Sequence, residues 1–517
     1  MKPVYLPIAL LTLLATAASL AGEAQVSSAE DIAKAMKSAQ PGDTLVMKDG
    51  EWKDQTVKFE GKGAEGKPIT LLAQTPGKVI LCGQSGLRIN GSYLVVQGLR
   101  FTNGGLSEGH VIQVGSEEIG DHCRVTDCAI VDYNPSGIDE RSHWVSLYGN
   151  DNRVDHCHFS GKTNSGVVLV VWLQKDKPAG HLIDHNYFGP RPHGDKNGFE
   201  TLRVGTGAVS MTAARVVVEY NLFEECDGEV EMVSNKSCEN VYRYNTFRKC
   251  SGCLTLRQGK RCVVDGNFII AEGKESAGGI RVIGEDHVVV NNYIEGAQAR
   301  AGGAIALTAG VPGSKLTQYF QATGALIAFN TIVDCMPPYL ILDAGLGKDE
   351  RSLLPENVTI ADNVFYAPPK AAPAPGESAT ATAATTAAAS KPTVSAIGAR
   401  TAPKKILPMT TMITGKEGAG FQWMGNIAFG ADLGVEKPDG ITVVDPKLAR
   451  DKDGVWRPGA DSPVRGAAQG AFPELRTDID GQVRTGKYDA GCDQVSDAPV
   501  QNRPLVASDV GPSWGRP

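Results

Sequence analysis

The chain has 517 residues, 42% of them hydrophobic and 21% charged, which is enough apolar material to bury a sizeable core. Its formal net charge of -7 argues against nucleic acid as a partner, while a local cationic groove could still attract a polyanion. Length alone suggests several domains, but elongated repeat folds run this long as one body, and the 60 glycines lean toward strands and turns.

Residues 1–24 read as an export signal. Lys2 gives a positive start, an apolar run follows from Ile8 to Leu20, and Ser19, Ala21 and Ala24 offer small residues for cleavage. The run is too short to span a bilayer and no second candidate follows, so a secreted or periplasmic protein with no membrane span is expected. A buried helix is the bland alternative for this run. Next, residues 29–39 fit a short amphipathic helix that would cap the open end of a larger body, and Pro41-Gly42-Asp43 turns the chain into its first strand.

One phrase then returns along the chain: Asn, an apolar or aromatic pair, and a polar turn. It stands at Asn186-Tyr187-Phe188, Asn221-Leu222-Phe223, Asn245-Thr246-Phe247, Asn267-Phe268-Ile269, Asn291-Asn292-Tyr293, Asn330-Thr331-Ile332 and Asn363-Val364-Phe365. The middle intervals are 24, 22 and 24 residues and the flanking ones are longer. Each unit holds short β-branched runs such as Val216-Val217-Val218 and Val288-Val289-Val290, and none is long enough for a helical crossover. Units of this kind bury their apolar faces only by stacking. The expected fold is all-β, a single-stranded right-handed parallel β-helix with a short N-terminal capping helix. Its asparagines would stack at one bend, in left-handed backbone.

The β-helix is expected over residues 25–366, and an Ala/Thr/Pro-rich disordered insert over 367–405. A C-terminal part of the β-helix follows over 406–494, then a loose tail over 495–517. The 11 cysteines are not spaced like a disulfide scaffold; Cys226 and Cys250, like Cys238 and Cys262, lie 24 apart, as stacked inward side chains would. Cys250 and Cys253 make only half a zinc site.

The chemistry concentrates between Asn221 and Arg281. Asp227, Glu229 and Glu231 alternate, so on a strand they would share a face, and the oxygen-only set would suit a hard cation such as Ca²⁺. A solvated outer strand face is the other reading. Lys236, Arg257 and Arg281 follow at steps of 21 and 24 residues, about one repeat each, and would stack in one groove on successive rungs. Such a groove suits β-elimination from a uronic acid: a cation neutralises the carboxylate beside the weakly acidic C5 proton, and a lysine among cations serves as general base.

These residues resemble polysaccharide lyase family 6, the group of alginate lyases and chondroitinase B. The resemblance rests on Asn197-Gly198-Phe199-Glu200-Thr201-Leu202-Arg203-Val204-Gly205, Asp227-Gly228-Glu229-Val230-Glu231, Ser234-Asn235-Lys236-Ser237, Leu254-Thr255-Leu256-Arg257 and Gly279-Ile280-Arg281-Val282-Ile283-Gly284-Glu285. It implies Ca²⁺ on Asn197, Glu229 and Glu231, a Brønsted base at Lys236, a catalytic acid at Arg257 and a substrate contact at Arg281. Arg203 and His193 are expected to hold neighbouring carboxylates. Because a guanidinium gives up its proton so reluctantly, water or a nearby tyrosine is an alternative donor. Many relatives carry histidine directly after that arginine, where this chain has Gln258. Some carry a second β-helix domain, for which this chain has no room.

The expected activity is calcium-assisted β-elimination on a 1,4-linked uronan, with alginate the first choice and dermatan sulfate the alternative. A pectin hydrolase would need paired carboxylates as acid and base. A non-catalytic carbohydrate-binding β-helix is the remaining rival. The acidic polysaccharide is the expected partner, and the chain is expected as a monomer, with a dimer as the alternative.

Overall fold

The computed structural model describes residues 22–116, 120–298, 302–369, 411–436 and 439–517. All but the last three residues of the expected export signal, and all but the first three residues of the Ala/Thr/Pro-rich insert, lie outside the described residues. Three parallel sheets of 14, 12 and 14 strands form the faces of the β-helix that the repeats predict. Each rung contributes one short strand to each sheet and pairs with the next rung in register. Residues Val154, Ile183, Val218, Tyr242, Val264, Val289, Ile327 and Ile360 occupy one inward column. None of them is more than 1% exposed. Short β-branched strands suffice because neighbouring rungs bury what one rung cannot.

The repeated asparagine is the second stacking element. Asn186, Asn221, Asn245, Asn267, Asn292, Asn330, Asn363 and Asn426 are fully buried, and each side-chain amide donates to the Oδ1 of the next at 2.9–3.0 Å. The same Oδ1 atoms accept the backbone N–H of the preceding member, for example Asn245 N to Asn267 Oδ1 at 3.0 Å. The expectation of left-handed backbone at these asparagines is corrected. The residue before each one carries the positive φ, as at His185, Tyr220, Tyr244, Asn291 and Phe329. The bend is made there, which leaves the asparagine free to bridge rungs. The cysteines also stack without bonding: all 11 are free and buried, and Cys226 N lies 3.4 Å from Cys250 Sγ.

The capping helix is Ala29–Ala35, shorter than expected, with Ser28 Oγ accepting from Asp31 N at 3.1 Å and Ile32 sealed against the first rungs. A strand, Glu23–Val26, precedes it and pairs with Thr44–Met47. Among the described residues no helix is long and apolar enough to cross a membrane.

The C-terminal expectations need correction. The stacked rungs end with Ile441–Val443, and the only antiparallel strand pair among the described residues, Leu448–Arg450 with Trp456–Pro458, follows. From there the chain doubles back along the outside of the solenoid, so residues 495–517 are a strap and not a loose tail. Cys492 N bonds Thr331 Oγ1, Leu505 N bonds Thr246 Oγ1, Gly511 N bonds His185 O and Trp514 Nε1 bonds Asp127 O. Leu505 and Val510 close a small apolar cluster with Tyr187 and Leu222. Proline- and glycine-rich sequence conceals this docking, because the bonds that fasten the strap go to the solenoid and follow no local pattern.

Candidate active site

The 12-stranded sheet carries the candidate residues on adjoining strands: Leu202–Gly205, Val233–Lys236, Gly252–Gln258 and Ala277–Val282. Lys236 ends its strand and pairs across to Gln258, because the register shifts there and Arg257 becomes the extra, bulged residue. Arg281 pairs with Thr255. The three cations therefore lie on successive rungs as expected but not in one column, and the bulge re-aims Arg257.

Glu231 gathers two of them. Its Oε1 lies 3.3 Å from Arg257 Nε and 4.0 Å from Arg281 Nη1, while its Oε2 accepts from Ser234 Oγ at 2.6 Å. Lys236 pairs instead with Glu200, Nζ to Oε1 at 3.7 Å, and Arg203 reaches the same oxygen at 3.6 Å. Lys236, expected near cations and an acidic cluster, thus has an acid beside it whose side chain is only 1% exposed. Arg257 is held by residues far along the chain. Its guanidinium donates to Gln318 O at 2.9 Å and lies 4.1 Å from the Tyr319 ring centroid, with Arg351 at 4.2 Å. Gln318 and Tyr319 belong to the insertion that makes the interval from Asn292 to Asn330 long, and Arg351 lies in the next interval, between Asn330 and Asn363.

The acidic run is not a strand, so the expectation of three carboxylates on one face is corrected. Residues 227–231 form an irregular entry to Val233–Lys236. Asp227 turns away to Lys274 Nζ and Ser251 N. Glu229 turns toward the loop before Leu202, its Oε2 accepting from Gly198 N at 2.8 Å and Phe199 N at 2.9 Å. Gly198 has φ 108, a conformation that side chains resist, and this is what points its N–H at the carboxylate. The loop is fastened by Arg191, whose buried guanidinium donates to Glu200 O, Asn164 O and Gly166 O at 2.8–3.0 Å. Burial, then the charge of Glu200, pushes the Glu229 carboxyl up to about 7.

A cleft of about 340 Å³ is lined by His193, Asn197, Glu229, Glu231, Arg281 and Tyr319. It unites five of the eight residues expected from sequence; Arg257 adjoins it through Glu231, while Lys236 and Arg203 meet at Glu200 outside its lining. Asn197 and the two glutamates offer oxygen donors only, which fits a hard cation. Among the described residues no trio of His, Cys, Asp or Glu is gathered around a point, so the amide of Asn197 and substrate oxygens would be needed to complete a shell. Glu200 Oε2, Thr201 Oγ1, Arg203 Nε, Thr255 Oγ1 and Gln258 Oε1 are buried without partners, an unusual local density of unmet polar atoms. His193 is exposed, its ring 3.2 Å from Asp227 O. Sequence reasoning missed Glu200 and Tyr319. Glu200 stands within a recognised motif but has no spacing signature, and Tyr319 lies in an insertion with no repeat pattern.

The chondroitinase B family model matches residues 26–380. Among solved structures, the chain is 33% identical to the PL6 family alginate lyase AlyGC, covering 96% of this chain and 59% of that one with a TM-score of 0.77. It is 34% identical to a mannuronic acid specific polysaccharide family 6 lyase from human gut microbiota, over 67% of this chain and 80% of that one, with a TM-score of 0.62. It is 29% identical to the PL6 family polysaccharide lyase Pedsa3628 from Pseudopedobacter saltans, over 84% and 98% of the two chains, with a TM-score of 0.62. The chain spans 59% of the length of AlyGC. No curated protein sequence matches it. With a family model covering more than half its length and the parallel β-helix of those structures, the chain belongs to the chondroitinase B family, polysaccharide lyase family 6.

Proposed function

We propose that this protein is a lyase that cleaves a 1,4-linked uronan, alginate in the first place, by β-elimination. The observation that carries the reading is the placing of Lys236, Arg257 and Arg281 on successive rungs beside an oxygen-lined cleft. Lys236 takes the C5 proton of the bound uronate; the freed electron pair forms the C4–C5 double bond, and the C4–O4 bond breaks. Arg257, fixed by Gln318 and Tyr319, faces the departing O4 and stabilises its charge until a proton from solvent or a neighbouring hydroxyl completes the leaving group. Arg281 holds a substrate carboxylate, and Arg203 and His193 hold those of neighbouring units. Asn197, Glu229 and Glu231 would hold Ca²⁺, which when bound supplies positive charge against the carboxylate next to C5. The apolar run at residues 8–20 supports export to where such polymers are met.

The test is ultraviolet absorbance of new unsaturated ends on alginate, dermatan sulfate and polygalacturonate, with calcium and with chelator, beside Lys236→Ala. A rise on alginate that is lost in the variant and in chelator is expected. A rise on dermatan sulfate alone would replace the substrate, and reducing ends without absorbance would replace the lyase by a hydrolase.

A further inference from the structure

The strand register that carries Lys236 continues beyond the cleft. Leu147 pairs with Val171, Val171 with Val204, and Gly205 with Lys236. One residue further along each strand, Tyr148, Trp172, Gly205 and Lys236 occupy a single column, and the backbone bonds Tyr148 N to Val114 O and Trp172 N to Leu147 O continue the ladder there. Rungs are about 4.8 Å apart, which puts Trp172 about 10 Å and Tyr148 about 14 Å from Lys236 along the sheet. Between them stands Gly205, which has no side chain to interrupt the surface and no room for one: a Cβ there would meet Lys236 O at 2.5 Å.

At that far end lies a cavity of about 810 Å³ whose lining includes Tyr148, Asn150, Trp172, Gln174, Lys175 and Lys177. The Tyr148 and Trp172 rings run parallel, 15° between planes and 5.9 Å between centroids. Arg203 lies 5.3 Å from the Trp172 ring and shares Glu200 with Lys236, so a continuous chain of contacts joins the cavity to Lys236. Lys175 and Lys177 are exposed at its rim. Aromatic rings, side-chain amides and free cations are the recognition groups a carboxylated sugar requires: ring faces for C–H surfaces, amides for hydroxyls, ammonium groups for the carboxylate.

We propose that this cavity is a remote subsite for an acidic sugar unit of the same polymer, several units from the bond cleaved at Lys236. The proposal rests on the lyase reading. It makes affinity, and thereby kcat/KM, depend on chain length: a chain too short to reach Trp172 gains nothing from the cavity.

The experiment compares kcat/KM on a long uronate oligomer with that on a trisaccharide, for wild type, Tyr148→Ala and Lys177→Glu. Lys177 is exposed, so its reversal leaves the fold intact. The ratio of long to short is expected to fall roughly tenfold in each variant, the effect of losing about 1.4 kcal/mol of binding. Wild-type activity with an unaltered ratio in both variants overturns the subsite and leaves the lyase standing. A wild type that forms no unsaturated ends on any uronan overturns both.

Discussion

Replacing Asn267 by alanine tests whether the asparagine ladder carries the stability of the catalytic rungs. The side chain donates to Tyr242 O at 2.9 Å, to Asn292 Oδ1 at 2.9 Å and to Asp265 O at 3.3 Å, and its Oδ1 accepts both the backbone N–H and the side-chain amide of Asn245 at 3.0 Å. Alanine removes all five bonds. The Asn245 side chain keeps Val218 O at 2.9 Å and Arg243 O at 3.0 Å, but its fully buried backbone N–H loses its acceptor. A buried orphaned donor costs about 1–3 kcal/mol and each further lost bond about 1 kcal/mol, which gives roughly 5–7 kcal/mol for the substitution. Asn267→Asp should be worse, since it sets a buried carboxylate against Asn292 Oδ1 in place of a donor. Urea unfolding followed by circular dichroism measures the loss, and amide exchange at Asn245 locates it, since a solenoid loses stability between neighbouring rungs. A loss below about 1 kcal/mol with Asn245 still protected would refute the reasoning and leave the ladder a passenger on apolar packing.

Tyr319→Ala should lower kcat roughly tenfold by releasing Arg257, worth about 1–2 kcal/mol of cation–π contact, whereas Tyr319→Phe should keep near-normal turnover. Equal losses in both would show the hydroxyl acting in the chemistry. His287 accepts from Cys262 N and donates to Ile283 O, so it is buried neutral and its pKa is pushed down to about 4. Its contribution is present above the unfolded value near 6.5 and is lost as pH falls toward 4, at about 1.4 kcal/mol per pH unit. Glu229 and Asp480, both pushed up to about 7, act oppositely in that window, so the measurement is the difference in unfolding free energy between wild type and His287→Gln at pH 7 and pH 5. A difference that does not change with pH sinks the argument. Trp514→Ala should cost about 2 kcal/mol through its bond to Asp127 O and its packing on Gly77; an unmoved thermal midpoint would mean that the strap carries no stability.

The repeat of asparagine at 22 to 24 residues made the β-helix legible, because a solenoid's stacking period is written directly into spacing. Cys226 and Cys250 were legible for the same reason. The sequence pointed to eight candidate residues, six of them through the resemblance motifs, and five of the eight line one cleft. What spacing did not determine is direction. Whether residues 227–231 are a strand or a coil decides that Glu229 and Glu231 face the cleft while Asp227 leaves it, and that depends on Arg191 and Gly198 fastening the facing loop. The bulge at Arg257, the Glu200 carboxylate between Lys236 and Arg203, and the Tyr319 clamp each join residues from different rungs or insertions. The strap of residues 495–517 is the extreme case, pairing Trp514 with Asp127 across 387 positions. Local periodicity reports which face a residue shares with its neighbours one rung away. Contacts that an insertion or a returning chain makes carry no period, so only the folded chain decides them.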